Sequence, residues 1–138
     1  MEDLTSTGDI PVSTLVGGEV VRTTPDANLY EVAGLLNRHD IGALVVDDDD
    51  AEATAVITER DVIRALAAMD DPAEIRVHQV ASTDLVWCNS DQPIAEVAST
   101  MAGRFLRHML VEDDGELVGI VSARDVLGAY SAAEPLEG

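Results

Sequence analysis

The run Ala55-Val56-Ile57-Thr58-Glu59-Arg60-Asp61 returns further along the chain as Gly119-Ile120-Val121-Ser122-Ala123-Arg124-Asp125. In both copies an apolar stretch ends on a hydroxyl, and an arginine and an aspartate follow two and three residues later. A hydroxyl at a strand end and a carboxylate in the first turn of the next helix lie on the same side of the chain. Two chemistries use that arrangement. As a cap, the hydroxyl and the carboxylate satisfy orphan N–H groups and complement the helix dipole. As a binding element, the carboxylate accepts hydrogen bonds from vicinal ribose hydroxyls while the N–H groups and the arginine hold phosphate, which describes a seat for a nucleotide. Capping explains a single copy, but the same arginine-aspartate pair behind two strands is more than capping requires.

The two runs belong to a longer internal repeat, whose recognition precedes any fold assignment. Val12-Ser13-Thr14-Leu15 matches Val77-His78-Gln79-Val80 at an offset of 65 residues, as do Val20-Val21 with Leu85-Val86 and Glu31-Val32-Ala33 with Glu96-Val97-Ala98. Leu44-Val45-Val46-Asp47 maps onto Met109-Leu110-Val111-Glu112 at the same offset, and one residue is lost before the hydroxyl-arginine-aspartate runs. Each half reads as strand, helix, strand, turn, strand, helix. In the first half, Glu19 to Thr23 is a strand and Asp26 an N-cap. Leu29, Val32, Ala33 and Leu36 form the inner face of a helix. Ile41 to Val46 is a buried strand, Asp47 to Asp50 a solvated turn and Ala55 to Thr58 a strand. The closing helix buries Val62, Ile63, Leu66 and Ala67. In the second half, a helix runs from Pro93 to Ala102 with proline in its first turn, and Glu112-Asp113-Asp114-Gly115 is a hairpin turn. The segmentation is an N-terminal arm 1–11, a repeat 12–69, a linker 70–76, a repeat 77–130 and a tail 131–138. At about 55 residues each, the halves are near the lower limit for folding alone, and they are expected to fold as one unit.

Composition narrows the function. The 138 residues hold 27 acidic side chains against 8 basic ones, a formal charge of −19, and every basic residue is arginine. Such a chain repels phosphate polymers, and with 3% aromatics it has little to stack on unpaired bases, so nucleic acid is excluded as a partner. An anion site built on arginine stays open. No apolar run is long enough to span a membrane and Met1-Glu2-Asp3 lacks the basic-then-apolar order of a signal peptide, so a soluble, cytoplasmic protein is expected. The acidity fits a concentrated-salt cytoplasm, with a surface for a basic partner as the competing explanation. In the first case the thermal midpoint rises between low and molar salt as self-repulsion is screened; a flat response excludes it.

The remaining reactive residues point nowhere specific. One cysteine, Cys88, and three scattered histidines match no zinc spacing, no metal site is expected, and neither a nucleophile–base pair nor a Walker-type loop is present, so no catalytic residue is assigned. The acidic run from Asp47 lacks the glycine and glutamate of an EF-hand loop. His39 complements a helix dipole, and His78 is a surface or capping residue. Trp87 either touches a base or packs in the core. Arg22, Arg38, Arg64 and Arg104 read as partners for carboxylates.

From Val12 to Tyr130 the chain resembles a tandem pair of cystathionine β-synthase (CBS) domains, the Bateman module. The resemblance is carried by the two hydroxyl-arginine-aspartate runs, by Asp40-Ile41-Gly42-Ala43-Leu44-Val45-Val46 and by Leu106-Arg107-His108-Met109-Leu110-Val111. It implies a mixed fold (α+β and α/β) of two β-α-β-β-α repeats with pseudo-two-fold symmetry and two inter-repeat clefts for AMP, ADP, ATP or an S-adenosyl compound. In one cleft Asp125 and Ser122 would hold ribose, with Arg124, Arg107 and His108 as phosphate candidates and Ile41-Gly42-Ala43 and the strand near Val20 lining the wall. In the other, Asp61 would hold ribose, Thr58 assist and Arg60 reach phosphate, with Leu106-Arg107 and the strand near Leu85 opposite. The first repeat has Gly42-Ala43 where the second has Arg107-His108, which makes the Asp125 site the stronger one for phosphorylated ligands. Ala55 in place of Gly119 narrows the backbone approach at the Asp61 site. Leu110 and Val45 replace the proline common in the family, with little consequence. The resemblance further implies a regulatory module without obligatory cofactor, acting in trans on another protein. It also implies a homodimer through Val62, Ile63, Leu66 and Val126, Leu127, Ala129, Tyr130, and a ligand-free assembly role is the alternative.

Overall fold

A computed structural model describes residues 6–48, 53–68 and 71–132. The described residues form two compact units: Val20–Leu85, and 6–19 together with 86–132.

In the unit 20–85, β1 (Arg22–Thr23) leads to α1 (Leu29–His39), β2 (Ala43–Asp47), β3 (Ala53–Thr58), α2 (Glu59–Ala68) and a single turn, α3 (Val77–Val80). The sheet order is β1-β2-β3, with β1 parallel to β2 and β2 antiparallel to β3. Every residue of β2 is buried, as its unbroken apolar run requires. The cap of α1 is Asn28 rather than Asp26. Asn28 Oδ1 accepts from the Glu31 N–H at 3.0 Å and the Asn28 N–H donates to Glu31 Oε1 at 3.0 Å. Only a residue three before a glutamate can close this reciprocal pair, and Asp26 is five before it. The first strand is shorter than expected, Arg22–Thr23 only, although Val21 O still accepts from the Val45 N–H at 3.2 Å. Ile41 stays outside β2 because its N–H bonds to Leu36 O at 3.1 Å and closes α1.

Two expectations about burial change. Asp47 is not in a solvated turn: it ends β2, buried, with Oδ2 accepting from Arg22 Nη1 at 2.6 Å. Asp49 and Asp50 lie outside the described residues. Arg22 is thus paired as expected, whereas Arg38, Arg64 and Arg104 meet no carboxylate among the described residues. The inner face of α2 is Val62 and Ala65, while Ile63, Leu66 and Ala67 face outward. Apolar residues occupy 62, 63, 65, 66 and 67, most of the helix circumference, so periodicity does not choose the face; small Ala65 joins Val62 in the core. Ala33 of α1 is likewise exposed beside buried Leu29, Val32 and Leu36.

The second unit repeats the plan with β4 (Trp87–Asn89), α4 (Ile94–Arg104), β5 (His108–Asp113), β6 (Glu116–Ser122) and α5 (Ala123–Ala132), in sheet order β4-β5-β6. Pro93 is the N-cap of α4, one position earlier than expected. The hairpin is centred on Asp114 (φ 54) and Gly115 (φ 81), between paired Asp113 and Glu116. Two positive dihedrals give the turn whose twist matches its strands, which glycine and aspartate accommodate.

Short segments complete each core from outside its own repeat. Val12, in a 3-10 turn (Val12–Leu15), is fully buried among Cys88, Ile94, Val97, Val111 and Val121, and its N–H bonds to Gln92 O at 2.8 Å. Val77 does the same for the unit 20–85, buried with Leu29, Val32 and Ile57 and donating to Ala27 O at 2.9 Å. Residues 6–11, expected as part of a loose arm, are docked: Thr7–Asp9 forms a turn against α4 and α5, and Pro11 bridges to Pro93. In the stretch expected as a linker, Asp71 caps a turn (Pro72–Glu74) by accepting from the Ala73 N–H at 3.0 Å, and Ile75 is buried. These segments are core parts because each brings a buried apolar residue.

Helices α1 and α4 both end on a left-handed residue, Asp40 (φ 53) and Phe105 (φ 57). Aspartate tolerates that conformation, but a bulky side chain is strained there. Phe105→Gly is therefore expected to raise stability by about 0.5–1 kcal/mol, read as a higher urea midpoint. A lower midpoint would show that the ring packs on its own unit.

No helix among the described residues is long and apolar enough to cross a membrane.

Candidate functional site

Each candidate site is a corner where a strand runs straight into a helix. At the end of β3, Thr58 Oγ1 accepts from the Asp61 N–H at 3.1 Å, and the Thr58 N–H donates to Asp61 Oδ2 at 2.8 Å. At the end of β6, Ser122 Oγ accepts from the Asp125 N–H at 2.9 Å, and the Ser122 N–H donates to Asp125 Oδ2 at 2.9 Å. The capping chemistry read from the sequence is present twice, in the same form. In both carboxylates Oδ2 is committed to the cap, while Oδ1 has no hydrogen-bond partner among the described residues. Neither aspartate is buried, so the free oxygen can accept from outside.

The preceding strand completes each corner through its backbone. The Glu59 N–H donates to Gly42 O at 2.9 Å and Ala43 pairs with Thr58; the Ala123 N–H donates to Arg107 O at 2.8 Å and His108 pairs with Ser122. One unit thus gathers Arg107, His108, Ser122, Arg124 and Asp125. The other gathers Ile41, Gly42 and Ala43 beside Thr58, Arg60 and Asp61, with Val20 and Leu85 at its two ends. Arg60, Arg107 and Arg124 are exposed, and none pairs with a carboxylate among the described residues. The charge difference is therefore built into the corners: two arginines and a histidine at Asp125, one arginine at Asp61. The carbonyls of Gly42 and Arg107 were missed from sequence, since any residue supplies that acceptor and no side-chain type signals it.

Two expectations beside the corners are refined. Gly119 makes room for packing: a Cβ there would lie 2.7 Å from Val16 Cβ, so its difference from Ala55 concerns the core first. Gly119→Ala is expected to destabilise by about 1–3 kcal/mol, seen as a lower denaturant midpoint, because the β-branched Val16 cannot swing away. Cys88 is buried, and burial pushes its thiol up from the ordinary range, which keeps it protonated and a poor nucleophile. Trp87 begins β4 and is partly exposed.

The CBS domain model matches residues 9–68 and again 77–132. The chain belongs to the CBS-domain family, as a tandem pair. Its fold is similar to that of the CBS-domain containing protein ATU1752 from Agrobacterium tumefaciens, with a TM-score of 0.81 and 33% identity over 92% of this chain and 98% of that one. The CBS domain protein PAE2072 from Pyrobaculum aerophilum, solved in complex with AMP, gives a TM-score of 0.76 and 28% identity over 90% of this chain and all of that one. Among curated proteins, Uncharacterized protein MK0525 from Methanopyrus kandleri is 28% identical over 86% of this chain, which spans 61% of that protein's length.

Proposed function

We propose that this chain is a regulatory module that binds an adenosine nucleotide at the Thr58–Asp61 and Ser122–Asp125 corners and acts in the cytoplasm, in trans, without catalysing a reaction. The single observation that carries the reading is the twice-repeated aspartate with one oxygen fixed by the cap and the other free. A pre-oriented acceptor at a helix N-terminus suits a ribose diol, with phosphate on the adjacent arginines. The similar protein solved with AMP supports an adenosine ligand. The richer positive charge at Asp125 makes that corner the stronger one for phosphorylated ligands. Ligand occupancy would favour one conformation of the module, which a partner protein then reads.

Titration calorimetry with AMP, ADP, ATP and S-adenosylmethionine tests this. Saturable binding of one of them, weakened by substitutions at Asp125 or Asp61, is the expected result. Heats indistinguishable from dilution for all four would remove the reading.

One observation favours assembly as a further output. Ile63 and Leu66 on α2 are 64% and 41% exposed, and Leu127 and Tyr130 on α5 are 69% and 42% exposed. These helices give apolar faces suited to a homodimer, whereas Val62 and Val126 are spent in their own cores. Should no ligand bind, a dimer that dissociates on Ile63→Asp with Leu127→Asp would make assembly the function.

A further inference from the structure

The turn between α4 and β5 presents Arg104 and Phe105, which the nucleotide corners do not use, next to Arg107, which the Asp125 corner shares. Phe105, the only phenylalanine of the chain, is 95% exposed there in a left-handed conformation. Neither backbone nor packing calls for the ring, and the equivalent Asp40 meets the same dihedral with a better-suited residue. A single exposed apolar residue is ordinary. Its charge surroundings are not. Residues 97–111 form the longest stretch of the chain without a carboxylate, in a sequence holding 27 acidic residues. Arg104 and Arg107 stand on either side of Phe105 in sequence, both exposed and both without a carboxylate partner among the described residues.

We propose that Arg104, Phe105 and Arg107 form a docking surface for a different protein, one that presents an apolar pocket rimmed by carboxylates. Aromatic and arginine side chains dominate the energetics of protein interfaces, and an anchor held in a fixed backbone conformation loses little freedom on binding. Two exposed arginines without carboxylate partners among the described residues, beside Phe105 in a stretch of sequence that holds no carboxylate, are the complement of an acidic partner. A second copy of this chain fits poorly. A two-fold contact centred on Phe105 would set arginines against arginines, and a head-to-tail contact would build a ring or a filament instead of a dimer. A nucleic acid would meet the field of a chain carrying −19.

The full chain with p-benzoylphenylalanine in place of Phe105, irradiated in the cells that make it, tests the proposal, followed by titration of the purified chain with a synthetic peptide spanning the cross-linked segment. The expected adduct lies on another protein, in a segment with carboxylates around an apolar residue. The peptide's affinity is expected to fall at least tenfold in Phe105→Gly and in Arg104→Ala with Arg107→Ala. Phe105→Gly keeps the turn's backbone, and an unchanged circular dichroism spectrum separates lost docking from lost folding. Adducts confined to other copies of the chain, adducts on nucleic acid, no adduct, or peptide binding indifferent to the substitutions would each overturn it.

Discussion

Asp125→Asn is expected to weaken adenosine-nucleotide binding at its corner by about 10- to 100-fold, the worth of a hydrogen bond to a charged acceptor, while folding as the parent does. The amide oxygen can still accept from the Ser122 N–H, so the reciprocal cap of α5 survives. What changes is the outward atom: the free Oδ1 becomes an NH₂ group, a donor facing ligand hydroxyls that need an acceptor. Loss of the charge at the helix N-terminus costs about 0.3–1 kcal/mol of stability. Asp125→Ala is the blunter variant, because it also removes the carboxylate half of the cap, the bond from the Ser122 N–H, while the Asp125 N–H still donates to Ser122 Oγ, at a cost of about 0.5–2 kcal/mol. Calorimetric affinity and the thermal midpoint, measured together on both variants, separate the roles. Unchanged affinity in Asp125→Asn would leave the carboxylate a cap and nothing more. Asp61→Asn is the matching variant at the other corner.

Val12→Asp is expected to unfold the half of the molecule that lies far from it in sequence. Val12 is fully buried in the core made by β4, α4, β5 and β6, and an unpaired carboxylate there costs several kcal/mol, a large share of a small unit's stability. Val77→Asp should do the reverse and unfold the unit 20–85. Hydrogen exchange read by mass spectrometry checks both. In Val12→Asp, protection should fall across 86–132 before it falls across 22–68, and in Val77→Asp the order should invert. Loss in the sequence-local half first would contradict the exchange of segments.

That exchange also marks where sequence stops being informative. The repeat, the order of elements and the reciprocal caps were legible because each rests on a local pattern: alternation of apolar runs, a hydroxyl three residues before an aspartate, two turn residues able to take positive φ. The partners of Val12 and Val77 were not. Val12-Ser13-Thr14-Leu15 and Val77-His78-Gln79-Val80 are equivalent by the same repeat, so each fits the carbonyl of Ala27 or of Gln92 equally well on pattern alone. The α2 face failed for a different reason, since apolar residues nearly encircle that helix and packing chose between them. Asp47 was misplaced because an aspartate at the head of an acidic run looks solvated until Arg22 is found beside it. At the corners, side-chain types identified Thr58, Asp61, Ser122 and Asp125, while the supporting carbonyls of Gly42 and Arg107 depend on strand pairing, which a single sequence does not print.

One unit is a continuous stretch of chain and the other is interrupted by it. As the polypeptide leaves the ribosome, residues 6–19 emerge before the stretch 20–85, yet the strands they pack on are synthesised after it. The stretch 20–85 supplies every residue of its own core, so that core can close once Leu85 is free. Once it has, Val21 lies along one edge of its sheet, bonded to Val45, and Ser82 along the other, bonded to Val56 in both directions. At about 4.8 Å per strand, that leaves the waiting N-terminal segment and the arriving C-terminal strands tethered on the order of 15 Å apart instead of across a flexible coil of more than sixty residues. Closure of the inserted unit thereby shortens the tether between the two parts of the split one, an order that synthesis favours and that refolding of the finished chain from denaturant need not follow.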